Sequence, residues 1–372
     1  MKYILSLFLI CLLLFISYSF SPAENNDLDL DKMIGQMVMV GFRGFDIAES
    51  DHIKRDIQDH KIGGVILFDY DVPESIPERN IKNPDQVQNL IAELQDISDN
   101  PLFIAVDQEG GRVTRLKVQH GFPETVSADY LGKINHPDTT KKHADITAGV
   151  LNEMGFNVNF APVVDLNINP ENPIIGKLGR SFGAEPDLVN VHAEAVIQSH
   201  VRHNVLPVVK HFPGHGSAWN DTHVGMADVT DTWIAAELDP YRYLLHHHPD
   251  IGVMTAHVFN SNLDADHPAT LSNHIQFNIL RGTLGFKGVL FSDDMQMDAI
   301  RSYYGLETAV KKAINAGVDV LVFANNSVYD PDIAPKVISA IKAFVESGDI
   351  SEERIKEAYN RIIETKKRLE LP

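Results

Sequence analysis

The chain has 372 residues, 44% of them hydrophobic and 22% charged, which excludes a disordered or fibrous protein and suits a globular one with a sizeable core. A net charge of −19, with no basic run of five or more, argues against nucleic acid and against electrostatic docking on anionic membranes.

Residues 1–23 differ from the rest. Met1-Lys2 is a short positive start, Tyr3 to Phe20 is apolar apart from Ser6, Ser17 and Ser19, and Ser21-Pro22-Ala23 supplies small residues before Glu24. This pattern is that of a secretory signal peptide, the alternative being an uncleaved membrane anchor through residues 3–20. The expected location is therefore periplasmic or extracellular. Cys11, the only cysteine, lies inside the apolar run with more apolar residues after it, a poor position for lipid attachment.

From Asp27 onward short apolar, β-branched runs alternate with helical patterns. Predicted strands are Gln36–Gly41, Gly64–Phe68, Leu102–Val106, Val158–Val164, Leu206–Lys210, Gly252–Ala256, Gly288–Phe291 and Asp319–Phe323. Continuous apolar runs of this length suit strands buried on both faces. Helices are predicted at Pro84–Ser98, Lys141–Met154, Glu185–His203, Asp239–His247, Ile275–Leu284, Gly305–Ala316, Ala334–Ser347 and Ser351–Leu369, the last opening with SEER in the manner of a capping box. Eight strands alternating with helices indicate a single (β/α)₈ TIM-type barrel. The alternative, a doubly wound open sheet, lacks a glycine-rich phosphate turn. No linker or shift in composition divides residues 24–372, so they are expected to form one catalytic domain.

Ionisable residues cluster immediately after the strands: Asp107-Gln108-Glu109, Asp165, Lys210-His211, His257 and Ser292-Asp293-Asp294. In a barrel these positions ring the C-terminal mouth, where active sites of this architecture sit. Helix N-caps also favour Asp and Ser, so any one of them alone is weak evidence. A metallohydrolase would draw ligands from His211, His215, His223, His257 and Asp293. Against this, strand one ends in Gly41-Phe42-Arg43-Gly44 with no His-x-His pair, and Lys210 sets a cation beside His211. No metal site and no cofactor are expected. There is no G-x-S-x-G, and no cysteine remains after the leader, so a Ser or Cys nucleophile has no support.

Glycoside hydrolysis needs a proton donor for the leaving oxygen and, in the retaining case, a carboxylate that attacks the anomeric carbon. Asp293 or Asp294 can be that carboxylate, and strand alternation turns only one of them into the pocket. In extended backbone Asp221 and His223 share a side, so Asp221 can fix the tautomer of His223 and favour its charged form. His215 reads as a loop-ordering residue, and His246-His247-His248 as a solvated helix end.

In chain order, VDQEGGRVTR, GRSFG, KHFPGHG, the Asp-Thr-His after it and FSDDM make the sequence resemble glycoside hydrolase family 3, over nearly all of Met33 to about Leu369, most closely its single-domain β-N-acetylglucosaminidase branch. The resemblance implies a retaining, two-step exo-hydrolase with Asp293 as nucleophile, His223 as acid/base and Asp221 as its partner. It also implies Asp107, Arg115, Arg180, Lys210 and His211 as contacts to a non-reducing N-acetylglucosamine. A cluster of cations beside Asp293 would keep it ionised. The expected partner is a carbohydrate, from peptidoglycan fragments or chitin-type oligosaccharides, with no obligatory protein partner. A β-glucosidase or phosphorylase of the same family, and a non-catalytic wall-binding barrel, are the competing readings. Two features depart from the family pattern: the leader, and strand two, which ends Phe68-Asp69-Tyr70-Asp71 where an asparagine is expected soon after the phenylalanine.

Overall fold

A computed structural model describes residues 29–371, so the leader lies outside the described residues. Residues from Asp31 to the C-terminus form one compact unit. Its strands are β1 (Val38–Gly41), β2 (Gly64–Ile66), β3 (Phe103–Val106), β4 (Val158–Asn159), β5 (Leu206–Phe212), β6 (Ala227–Asp228), β7 (Gly252–Thr255), β8 (Val258–Phe259), β9 (Leu290–Phe291) and β10 (Leu321–Phe323). Eight of them form one parallel sheet in the order β10-β1-β2-β3-β4-β5-β7-β9. A parallel bridge between Phe291 and Val320 joins the two ends and closes the barrel. The small pair β6 and β8 lies outside that sheet. All eight predicted strands are present in the barrel.

The strands are shorter than predicted, most so at β4. Its ladder stops at Asn159, and after Pro162, which has no N–H to give, pairing resumes only as a bridge from Val163 to Lys210. β5 runs longer than predicted, to Phe212, and so carries Lys210 and His211 inside the strand.

The helices follow from local chemistry. In Pro84–Asp96 the Asn83 side chain accepts the Gln86 N–H, Pro84 fills the first turn, and Val87, Leu90, Ile91 and Leu94 form the buried stripe. In Glu352–Arg368 Ser351 caps through the Arg354 N–H, but position N3 is arginine, so the reciprocal half of a capping box is missing. Between β1 and β2, where no helix was predicted, Asp51–Gln58 buries Ile53 and Ile57 one turn apart in an otherwise polar segment. Further unpredicted helices are Leu30–Gln36, Ala128–Ile134 and Asp298–Tyr304. The helix predicted at Ile275–Leu284 forms as a π-helix, His274–Thr283. No helix among the described residues is long and apolar enough to cross a membrane.

An asparagine meets the end of strand two from farther along the chain than expected. Residues 69–79 leave the barrel as an excursion closed by an antiparallel bridge between Asp71 and Ile76. Asn80 then returns to the strand end, giving its N–H to the Phe68 carbonyl at 2.9 Å and accepting the Phe68 N–H at 3.1 Å. Arg79 pins the excursion from within, bonding the Phe42, Ala324 and Asn325 carbonyls and pairing with Asp71, which Arg43 holds from outside.

Candidate active site

The C-terminal ends of β3, β4 and β5 hold a net of buried charges. Arg180 meets Glu109 through two bonds of 2.7 Å, and Lys210 reaches Glu109 at 2.6 Å and Asp107 at 2.7 Å. Glu109 and Lys210 side chains are 5% and 3% exposed, so each charge is compensated by protein rather than by water. Burial alone would raise the carboxyl pKa of Glu109, but Arg180 and Lys210 outweigh it and lower it to about 2. Asp107 is held below its ordinary value against burial by Lys210 and then Arg115, which stands 3.5 Å away. Asp107 remains the most open acceptor of this group, at 18% exposure.

His211 completes the net. The Arg180 guanidinium, which can only donate, faces His211 Nε2 at 3.2 Å, so Nε2 accepts and Nδ1 carries the proton. That proton points to Asp165 Oδ2 at 2.6 Å. Asp165 also accepts the backbone N–H of His211 and, at 2.8 Å, of His215. The Lys210–His211 peptide is cis.

Across the mouth, at the end of β9, Asp293 and Asp294 have different surroundings. Asp294 accepts backbone N–H groups from Gln296 and Ala324, and burial raises its pKa to about 6. Among the described residues, Asp293 accepts only the N–H of Asp294, at 2.8 Å. Burial favours its neutral form, yet the facing imidazoles of His257, His211 and His223 hold it below the usual carboxylate value. Of the sugar-contact set only His211 is among these groups; Lys210 and Arg180 are occupied by Asp107 and Glu109. His257 is oriented by donating Nε2–H to the Asp294 carbonyl at 3.0 Å.

Asp221 and His223 stand on the rim, their side chains 28% and 53% exposed. Their pairing comes from a turn, not from extended backbone. Asp221 Oδ1 accepts both the His223 N–H, at 2.8 Å, and its Nδ1–H, at 2.7 Å, and the Val224 N–H bonds the Asp221 carbonyl. Nε2 of His223 is thereby left as the exchangeable position. Burial lowers the His223 pKa, but Asp221 and, more distantly, Asp293 reverse this and raise it.

The structure therefore brings Asp107, Arg115, Arg180, Lys210 and His211 into one contiguous net, sets Asp293 across from it, and leaves Asp221 and His223 on the loop above. Glu109 and Asp165 were noticed in the sequence as strand-end acids but not as site residues; they neutralise Arg180 with Lys210, and orient His211. His215 orders the loop through its N–H and a 3.4 Å contact from Nε2 to the Thr222 hydroxyl. His247 and His248 are taken up by the Tyr243 carbonyl and Glu194.

The model of the glycosyl hydrolase family 3 N-terminal domain matches residues 29–365. The chain belongs to that family. It is 30% identical to beta-hexosaminidase A of Pseudoalteromonas piscicida over 95% of this chain and 64% of that protein. It is 33% identical to a beta-hexosaminidase of Nitrosomonas eutropha over 82% of this chain and 84% of the relative. Among solved structures, the family 3 beta-N-acetylglucosaminidase of Paenibacillus sp. str. FPU-7 superposes with a TM-score of 0.84 at 35% identity, over 92% of this chain and 63% of that one. The chain thus spans just under two thirds of some relatives and most of others.

Proposed function

We propose that the chain is a retaining exo-β-N-acetylglucosaminidase; the observation that carries this is Asp293, held below the usual carboxylate value by imidazoles that include His223, the rim-mounted partner of Asp221. Asp293 attacks the anomeric carbon while protonated His223 gives its Nε2 proton to the departing oxygen, and Asp221 stabilises the imidazolium before the transfer. In the second step neutral His223 takes a proton from water, whose oxygen attacks the same carbon and frees Asp293. Asp107 accepts from sugar hydroxyls, and Arg115, Arg180, Lys210 and His211 define the wall against which the sugar lies. The backbone-bonded carboxyl of Asp294, with its pKa raised, is a poor nucleophile, which supports Asp293 as the attacking group.

Substrates of this reading are terminal, non-reducing β-linked N-acetylglucosamine residues of peptidoglycan fragments or chitin-type oligosaccharides. The leader-like N-terminus supports action outside the cytoplasm, on wall fragments or external glycans. Release of p-nitrophenol from the N-acetylglucosaminide but not the glucoside tests the sugar. Mass spectrometry of digests of chitobiose and purified muropeptides tests the aglycone; recovery of sugar 1-phosphate in phosphate buffer would replace hydrolysis with phosphorolysis.

A further inference from the structure

Beneath the loop that bears Asp221 and His223 lies a carboxyl group with no part in the chemistry above. Glu237 is 1% exposed and sits in the short 3-10 helix Ala235–Leu238, which leads into the helix Asp239–His247. Its Oε2 accepts the Gly216 N–H at 3.2 Å. Gly214, at φ +121°, comes so close that a Cβ there would stand 2.7 Å from both Glu237 Cβ and Oε2. Glycine at 214 is therefore what lets the carboxyl close under the turn.

The turn is gripped from two sides. Asp165 takes the N–H groups of His211 and His215, Glu237 takes that of Gly216, and Trp233 Nε1 holds the Pro213 carbonyl at 3.1 Å. From Gly216 the chain runs directly to Asp221. Its far end is tied by His215 Nε2 to the Thr222 hydroxyl and by the Ala299 N–H to the Thr222 carbonyl. Thr222 is the residue between Asp221 and His223, so the position of the turn passes to the proton-transfer pair through a short, tethered segment.

The groups that face the carboxyl are the Gly216 N–H, the Ser217 side chain, the backbone of Ile234, the Tyr241 ring and, at longer range, the charge of Asp165. Among the described residues Glu237 Oε1, Ser217 Oγ and the Tyr241 hydroxyl are all buried without another hydrogen-bond partner, so the carboxyl keeps one oxygen for an adjacent hydroxyl. Burial, opposed by Ser217 and reinforced by Asp165, raises the acid to about 7.

We propose that Glu237 is a positioning residue for proton transfer: closed under Gly214 and bonded to Gly216, it sets where Asp221 and His223 stand relative to the glycosidic oxygen. The proposal rests on His223 being the acid/base. Glu237→Ala and Glu237→Gln are to be compared with the unaltered protein on chitobiose, a poor leaving group, and on the 2,4-dinitrophenyl N-acetylglucosaminide, which needs no protonation. Rates are taken per competent site, counted by covalent uptake of a fluorosugar. Glu237→Ala is expected to lower kcat on chitobiose by about 10-fold more than on the dinitrophenyl substrate, with KM for either within about twofold. Glu237→Gln, which keeps an oxygen for Gly216, is expected to recover most of the loss. Should Glu237→Ala not fold, Glu237→Asp, which withdraws the carboxyl by one methylene, carries the same expectation. Equal losses on the two substrates, or a Gln variant no better than Ala, would overturn the proposal. Failure of the underlying reading shows separately, as a His223→Ala variant with no dependence on leaving group.

Discussion

The two sides of the mouth are built in opposite ways. The side we propose to contact the sugar is a closed set of charges, Glu109, Arg180, Lys210, Asp107, His211 and Asp165, mostly buried and each bonded to others in the set. The side we propose to transfer the proton is one turn on the rim, in which Asp221 holds His223 by two bonds and the imidazole is more than half exposed. A binding wall must keep its geometry through both chemical steps, and buried, over-determined charge does that at a folding cost. A group that gives up a proton and later takes one back needs contact with water and a partner that follows its charge, which the rim position supplies.

Substitutions on the two sides therefore differ in kind. Arg180→Ala leaves Glu109 buried with Lys210 as its main counter-charge and is expected to destabilise the fold by about 3–5 kcal/mol, as well as to weaken sugar binding; calorimetry with a KM measurement checks both. His223→Ala is expected to leave the melting temperature nearly unchanged and to lower kcat on chitobiose by about 10²–10⁴-fold, with a much smaller loss on activated aryl glycosides. Comparable thermal destabilisation in the two variants would erase the distinction. Between the two sides lies Glu237. Its folded pKa of about 7 lies above the usual 4.5, so the folded state binds the extra proton and stability present below about pH 4.5 is lost as pH rises to about 7. That loss amounts to about 3 kcal/mol, and Glu237→Gln is expected to flatten it in denaturation curves taken from pH 4.5 to 8. The smallest effect belongs to Asp221→Asn. Because the raised pKa of His223 returns toward its ordinary value, the alkaline limb of the rate profile moves to lower pH. The exposed pair contributes under about 1 kcal/mol to stability, present below the ordinary histidine value and lost as pH rises through the folded one.

Much of the barrel was legible because continuous apolar runs of β-branched residues between turn signals mark buried parallel strands. Ionisable residues directly after those runs then had to ring one end. What was not legible depended on partners far along the chain. Glu109 and Asp165 look like any strand-end acids until Arg180 and His211 are seen against them. Glu237, in an unremarkable AAEL, acquires meaning only from Gly214 and Gly216 lying on it. The contact of Asn80 with Phe68 was not legible, because the chain makes an excursion over residues 69–79 between them. Asp221 and His223 were paired correctly from their spacing, though for a reason the turn geometry replaces.

The central claim is that Asp293 attacks the sugar and Asp294 holds the backbone. Incubation with a 2-fluoro glycosyl donor, followed by proteolysis and mass spectrometry, tests it most directly. The account predicts a single glycosyl ester on Asp293; an ester on Asp294, or turnover with no covalent adduct at either residue, would contradict it.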